Sequence, residues 1–591
     1  MRHLTLFNFL FVFYSAIGQI LPSERRVDWS VAGIRDSSTQ NMIVLDALSN
    51  GFSADGNTPN DLAFSDLMMD HPEPFILYFS TGTFLFNQPL VLRSNMVLRG
   101  SGASNTTLKI DHGGSGHGIL ISGSSIPTDT CSLSENWTKD STNMQVVSTS
   151  LFQGGDWIHL SMNDADLITS SWALGSVGQI AQINSINGNL LTLQSAARLD
   201  FPISRSPKIK KINPIENVGI ECLKIDRIDN CAPEQASNVY LNYAVNCWIN
   251  GVESNQTTFA HVEANHSSNC SVTNSYFHDA FDYGGGGRAY GVMFHFSTNE
   301  CLVYSNVFDH LRHSMILQAG ANGNVFAYNR SVDPFWTGSA FLPANSAGDM
   351  VLHGNYVFSN LFEQNDGQNM VIDNSHGGNG PNNTFFRNRG SLYGIFFSDN
   401  TSPNQNFIGN EIPNTSFPYS TVNYNLLGTN HFVYGNNNKG TIDPAGTSDL
   451  SDSTYFFSQP PNEILNQYYA SIGVPNAMNS GIIPATYYLS NNQLFANACG
   501  YTTDLGTNNL TNETDLQIYP NPAVDAVQVA SENLNVRSIR VFNILGLEVI
   551  AEKNPIFPLK LDLSRLEKGC YVMYFETSSG NYCKKLNVLR P

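Results

Sequence analysis

The sequence predicts an all-β chain: a parallel β-helix solenoid followed by a small C-terminal β-sandwich domain. Three observations carry that expectation. Only 13% of the 591 residues are charged, about half the usual share, while Asn, Ser, Gly and aromatics abound. The middle of the chain repeats a short unit that begins with Cys or Asn. The residues after 515 alternate in the manner of short strands at sandwich-like intervals.

The first residues carry Arg2 and His3, then an apolar run from Leu4 to Ile17 that ends in Ala16-Ile17-Gly18. That order is a secretory signal peptide over residues 1–18, too short to span a bilayer. Lys+Arg 30 against Asp+Glu 49 gives a net charge of −19 with no basic run, which excludes the electrostatic footprint of nucleic-acid binding. Nine Cys without CxxC spacing argue against a structural metal site.

The repeat is read from Cys247-Trp-Ile-Asn-Gly-Val-Glu-Ser254, Cys270-Ser-Val-Thr-Asn-Ser-Tyr-Phe277 and Cys301-Leu-Val-Tyr-Ser-Asn-Val-Phe308. Asn324, Asn355, Asn383 and Asn406 open the later units. The starts lie 23, 31, 23, 31, 28 and 23 residues apart, a 23-residue coil lengthened three times. The third positions, Ile249, Val272, Val303, Phe326, Val357, Phe385 and Ile408, are expected to face inward. The first positions should form an internal Cys/Asn column whose amides hydrogen-bond from coil to coil. Cys247 with Cys270, or Cys270 with Cys301, would then be in disulfide reach; buried free thiols are the alternative.

Short β runs alternating with Asn/Gly turns resemble the right-handed parallel β-helix of the pectate lyase superfamily. Phe75-Ile-Leu-Tyr-Phe79, Leu90-Val-Leu-Arg-Ser-Asn95 and Val97-Leu-Arg-Gly100 look like the opening coils of its pectate-lyase-3 type. The resemblance implies a β-helix over residues 26–415. Residues 130–212 interrupt it as a β insertion or an elaborated set of coils, in which Ile186-Asn-Gly-Asn-Leu190 reads as a hairpin turn. Residues 416–500 read as an irregular cap and 501–515 as a linker. In residues 516–591, Tyr519-Pro-Asn-Pro522, Val541-Phe-Asn543, Gly569-Cys-Tyr571 and Lys584-Lys-Leu586 are similar to the sorting domain of the type IX secretion system. That resemblance implies passage through this secretion machinery and a secreted or outer-membrane-attached protein.

Counting eight and nine residues from each start gathers His278, Asp279, Asp309, His310, Asp333 and Glu363 on one corner. The three extensions begin at the same corner and bring Asp282, Arg288, Tyr290, Phe335, Trp336 and His376. Tyr290 and His313 should be neighbours, with Arg312 close by. The sequence therefore nominates Asp279, Asp309, His310, Arg312, His313, Asp333 and Glu363 as catalytic candidates. His278, Asp282, Arg288, Tyr290, Phe335, Trp336 and His376 are nominated to bind substrate. A lyase would remove a proton beside a uronate neutralised by Ca²⁺ or Arg, whereas a glycosidase would use two of the carboxylates. Each polar residue has a plainer reading as a solvated turn former, and Gly116-His117-Gly118 is read as a turn. The expected function is a polysaccharide lyase or glycoside hydrolase acting as a monomer on an extracellular polysaccharide. The alternative is a non-catalytic adhesin or glycan-binding solenoid.

Overall fold

The computed structural model describes residues 20–35, 39, 42–338, 342–457, 472–490, 516–531, 536–543, 548–577 and 580–589. The signal peptide at 1–18 and the linker at 501–515 lie outside them. The chain divides into two compact units, residues 1–500 and 501–591.

The first unit is a right-handed parallel β-helix. Its first sheet stacks twelve strands in parallel, from Ile43–Asp46 to Phe432–Tyr434. Strands such as Tyr276–His278 and Val307–Asp309 build a second sheet, and Ala260–Asn265, Tyr290–His295 and His313–Leu317 build a third. Side chains alternate along each strand, so every coil sends apolar residues inward and covers the ends of its neighbours'. In the first sheet the inward column is Ile249, Val272, Val303, Phe326, Phe362, Phe385 and Phe407. Its last four rings stack at 5.1, 4.9 and 5.3 Å.

This register corrects the sequence reading at two coils, because Phe362 and Phe407 occupy the places assigned to Val357 and Ile408. The fifth coil starts at Asn360 rather than Asn355. The coil from Asn324 to Asn360 is therefore 36 residues, the next 23, and the one from Asn383 to Gln405 22. Only two extensions remain of the three expected, and Gln364 to Pro381 is an ordinary length of coil.

Two amide ladders hold this register. Asn324, Asn360, Asn383 and Gln405 donate side chain to side chain at 2.9–3.0 Å. Asn306, Asn329, Asn365, Asn388, Asn410 and Asn436 do the same at 2.9–3.2 Å. Each amide also donates to a backbone carbonyl of the preceding coil, as Asn329 does to Val303, and its oxygen accepts that coil's backbone N–H. A buried polar side chain is thus fully used. Cys247, Cys270 and Cys301 continue the first column as buried free thiols.

The helix differs from the sequence boundaries at both ends. Residues 20–35 form a strap along the outside of the first sheet rather than a coil. Arg25 donates to Asn406, Trp29 to the Ser359 carbonyl, and the Ile34 N–H to Ser271. Past residue 415 another coil follows, in which Phe432–Tyr434 pairs with Asn406–Ile408.

The insertion is a six-stranded antiparallel sheet that includes the hairpin between Gly178–Asn187 and Leu190–Leu193. Strand Gly219–Glu221 pairs directly with Met96–Gly100, so the insertion leaves the ladder of coils unbroken. Amide clamps dock it, with Asn299 bonding both backbone groups of Ile180 and Asn322 donating to Gly178. The second unit packs a three-stranded and a four-stranded antiparallel sheet around Val527, Ile539, Met573 and Phe575.

Glu363 leaves the corner where the sequence placed it. The corrected register sets it on the outer face of the first sheet, between Ala327 and Phe386, fully buried under residues 450–457. It accepts the Thr454 hydroxyl at 2.5 Å and the backbone N–H groups of Tyr455 and Phe456 at 2.7 and 3.3 Å. Its role is to hold the cap.

Two predictions follow from these contacts. Asn365→Ala strands the Asn329 amide and backbone N–H in the interior, and should cost about 3 kcal/mol in urea unfolding of the first unit. Burial pushes the Glu363 carboxyl up to about 7, from the 4.5 of an exposed glutamate. The folded chain then binds a proton that the unfolded chain releases, so this contribution is full below about pH 4.5 and lost as pH rises through about 7. The melting temperature should fall across that window, and Glu363→Gln should flatten the fall.

Candidate functional site

The third sheet should present alternating polar residues to solvent. Its inward positions are apolar as expected, namely Val262, Val292, Met315 and Met350. The outward positions are unusual: Glu263, Met293, Ile316 and Val351 are buried as well. Two walls cover them and leave a cleft of about 670 Å³.

One wall is the insertion, which sends Trp172 to the rim on the short helical turn Ser171–Ala173. Its ring stands edge-on to Phe296 at 5.8 Å and His376 at 5.4 Å and remains nearly half exposed. Ser170 and His376 hydrogen-bond at 3.2 Å, tying the wall to the coil beneath. The other wall is built from the two genuine extensions. Thr337 N–H donates to the Tyr283 carbonyl, so the loops brace each other. Arg312 donates to the Gly284 carbonyl and lies 5.8 Å from the Tyr290 ring and 5.6 Å from Trp336. Gly287 takes a left-handed φ of +76°, and a Cβ there would strike the Gln235 side chain.

Along the floor runs a polar row with one member per coil. Asn265 pairs in register with His295, and the chain continues through Gln318 and His353 to Asp373, the residues that follow the paired Phe294, Leu317, Leu352 and Ile372. Each end of the row holds a carboxylate against an imidazole. Glu263 is 3.0 Å from His295 Nε2 and also accepts the Ser237 hydroxyl at 2.5 Å. Burial alone would raise its carboxyl, yet these hydrogen bonds hold it below the usual range. Asp373 lies 2.6 Å from His353 Nδ1. There too the imidazole overrides the effect of burial and keeps the carboxyl low. Burial lowers the His376 imidazole, with help from His353.

The sequence candidates are divided between this cleft and the corner. Arg312, Tyr290 and His376 line the cleft. His313 pairs with Tyr290 behind the surface, where burial first and Arg312 second hold it neutral. Asp279, His310 and Asp333 occupy the same left-handed turn on three successive coils, at φ of 61°, 51° and 48°. His278 bonds Asp279 at 2.8 Å, Tyr276 bonds Asp309 at 3.1 Å and His310 bonds Asp333 at 2.6 Å. Phe335 stacks on the His310 ring at 4.7 Å. Asp282 pairs with Arg288 within the first loop, and Trp336 packs on the second through Ser346. Only Glu363 lies elsewhere.

Sequence reasoning missed Trp172, Glu263, His295 and His353. Ala260-His-Val-Glu-Ala-Asn265 and Gly291-Val-Met-Phe-His295 did carry a signal, with charged or imidazole groups set into otherwise apolar strands. Trp172 carried none. The glycine-flanked His117 turn also gains a role, because its ring stacks on Tyr240 at 4.2 Å at the cleft edge. Ca²⁺ does not suit this donor set: the two carboxylates already hold imidazoles, while Ca²⁺ takes six to eight oxygens. Among the described residues no three acidic, His or Cys side chains converge on a metal position.

Two family models match parts of the chain. Residues 45–179 match the family described as rhamnogalacturonase A/epimerase, pectate lyase-like. Residues 517–589 match the secretion system C-terminal sorting domain. A capsule K1-specific depolymerase of Klebsiella phage K64-1 is 28% identical over 162 residues, which are 26% of this chain and 18% of that protein. Among solved structures, the tailspike protein gp49 of Pseudomonas phage LKA1 aligns at a TM-score of 0.44 and 13% identity, covering 66% of this chain and 76% of that one. An exopolygalacturonase of Thermotoga maritima aligns at 0.36 and 12%, covering 68% and 89%. The chain thus joins a pectate lyase-like β-helix domain to a secretion system C-terminal sorting domain, which directs it to the cell surface or beyond.

Proposed function

We propose that this protein is a secreted enzyme that cleaves an extracellular polysaccharide by elimination at a uronate residue. The observation that carries the reading is the cleft on the third sheet. It offers aromatic surface at Trp172, a cation at Arg312 and a row of imidazoles, on a chain that is otherwise strongly acidic. Aromatic faces stack on sugar rings, and Arg312 suits a carboxylate of the polymer. Glu263 on the cleft lining and Asp373 beside His353 sit four coils apart, about 19 Å at the spacing of neighbouring strands. Glycoside hydrolysis through a carboxylate pair uses roughly 5–9.5 Å, so the cleft suits a single base better than an acid pair.

A second reading is favoured by one observation at the corner. Asp279, Asp309 and Asp333 lie on adjacent coils, at separations that suit a hydrolase, with His310 and His278 as proton-transfer partners. The similarity to a phage capsule depolymerase accords with a glycan substrate.

Incubation with pectin, alginate, glycosaminoglycans and neutral glycans tests these readings. The expected result is a new ultraviolet absorbance from an unsaturated uronate product. Reducing ends without that absorbance would move the chemistry to the corner, where Asp309→Asn should then abolish turnover. Binding without any product would mark a glycan-binding solenoid. Trp172→Ala should weaken polymer binding about 10-fold in calorimetry, the loss of one ring's stacking.

A further inference from the structure

The floor of the cleft contains three polar groups with no hydrogen-bond partner among the described residues. His295 commits Nε2 to Glu263, and among the described residues nothing hydrogen-bonds its Nδ1. His353 turns Nδ1 toward Asp373 and has no hydrogen bond from Nε2 to any described residue. Gln318, on the coil between them, has no side-chain hydrogen bond to any described residue. All three line the cleft and are nearly buried, at 6%, 5% and 5% exposure. Their open polar atoms face the cleft, where a polar ligand can take the hydrogen bonds that water otherwise makes.

The spacing sets what the row can do. Coils stand about 4.8 Å apart, so the two imidazoles are roughly 10 Å apart with the Gln318 amide midway. That gap admits one sugar ring with a proton-transfer group at each end. Both imidazoles are oriented by a carboxylate on the ring nitrogen away from the open one, the arrangement that fixes a tautomer and stabilises the imidazolium when it forms.

We propose that His295 and His353 are the acid–base pair of the cleft, with Glu263 and Asp373 as their positioning residues and Gln318 as the hydrogen-bond donor to the uronate carboxyl. The proposal rests on the elimination reading above. His295 Nδ1 takes the proton from C5 of the uronate seated over Gln318. The C5–H electron pair becomes the C4–C5 double bond, and the C4–O4 bond breaks with its pair on O4. O4 takes the proton from Nε2 of protonated His353. His295 ends protonated and His353 neutral, and exchange with water restores both. No cofactor or oxidant enters the balance.

The test uses the full chain with polygalacturonate, alginate and hyaluronate in parallel. On whichever polymer the wild type cleaves, His295→Ala and His353→Ala should each lower kcat at least about 100-fold, the span of one lost proton transfer. Binding of the same polymer by calorimetry should stay within about threefold, which excludes a folding defect. The bell-shaped pH profile of kcat should lose one limb in Glu263→Gln and the other in Asp373→Asn, a change that a merely structural role would not produce. If either histidine variant keeps kcat within about threefold, the pair is overturned while the enzyme reading stands. If the wild type yields reducing ends without ultraviolet absorbance, or no product at all, the elimination reading falls and the pair with it.

Discussion

The vertical hydrogen bond between stacked side-chain amides is the constraint on which the rest of the molecule depends. From Asn306 to Asn436 an unbroken line of six Asn residues joins six coils, and each amide satisfies its donors and acceptor on the coil above and below. In a dry interior a gap in such a line leaves two buried polar groups without partners, so the ladder fixes which residue of one coil lies over which residue of the next. The aromatic stack of Phe326, Phe362, Phe385 and Phe407 follows the same register.

A spine that tolerates no slip confines variation to the corners. The 8-residue extension between Asp279 and Ala289, the 13-residue extension after Asp333 and the insertion before Ile215 all enter at turns and return to the ladder in step. They rise beside the third sheet, and their height turns a flat sheet into a cleft. The same step-keeping aligns Asn265, His295, Gln318, His353 and Asp373 one above another, although their sequence separations are 30, 23, 35 and 20 residues. Register thus produces both the walls and the polar row between them.

Covering the sheet changes the chemistry of its outward residues. Glu263 and Asp373 would be ordinary solvated carboxylates on an open solenoid face. Under the walls each must find a partner, and each does so in an imidazole on the adjacent coil. Carboxylates at the corner keep more solvent even when paired, as Asp333 does beside His310 at 2.6 Å. The contrast between the two groups is one of solvent access rather than of residue type.

The sequence by itself determined the β-helix, the antiparallel insertion and the C-terminal sandwich, because strand alternation, Asn/Gly turns and the motif around Tyr519 are local features. It also determined that Tyr290 and His313 are neighbours, since both lie the same distance before Cys301 and Asn324. It misassigned Glu363 and created a third extension because Asn355 and Asn360 both begin plausible units. Both are buried, and only the place of Asn360 in the amide ladder between Asn324 and Asn383 distinguishes them. The pairing of Glu263 with His295, the reach of Trp172 over the floor and the place of Glu363 beneath the cap were decided by tertiary structure alone. Each depends on which coil lies over which and on what covers the face, and these are long-range facts that no short stretch of sequence contains.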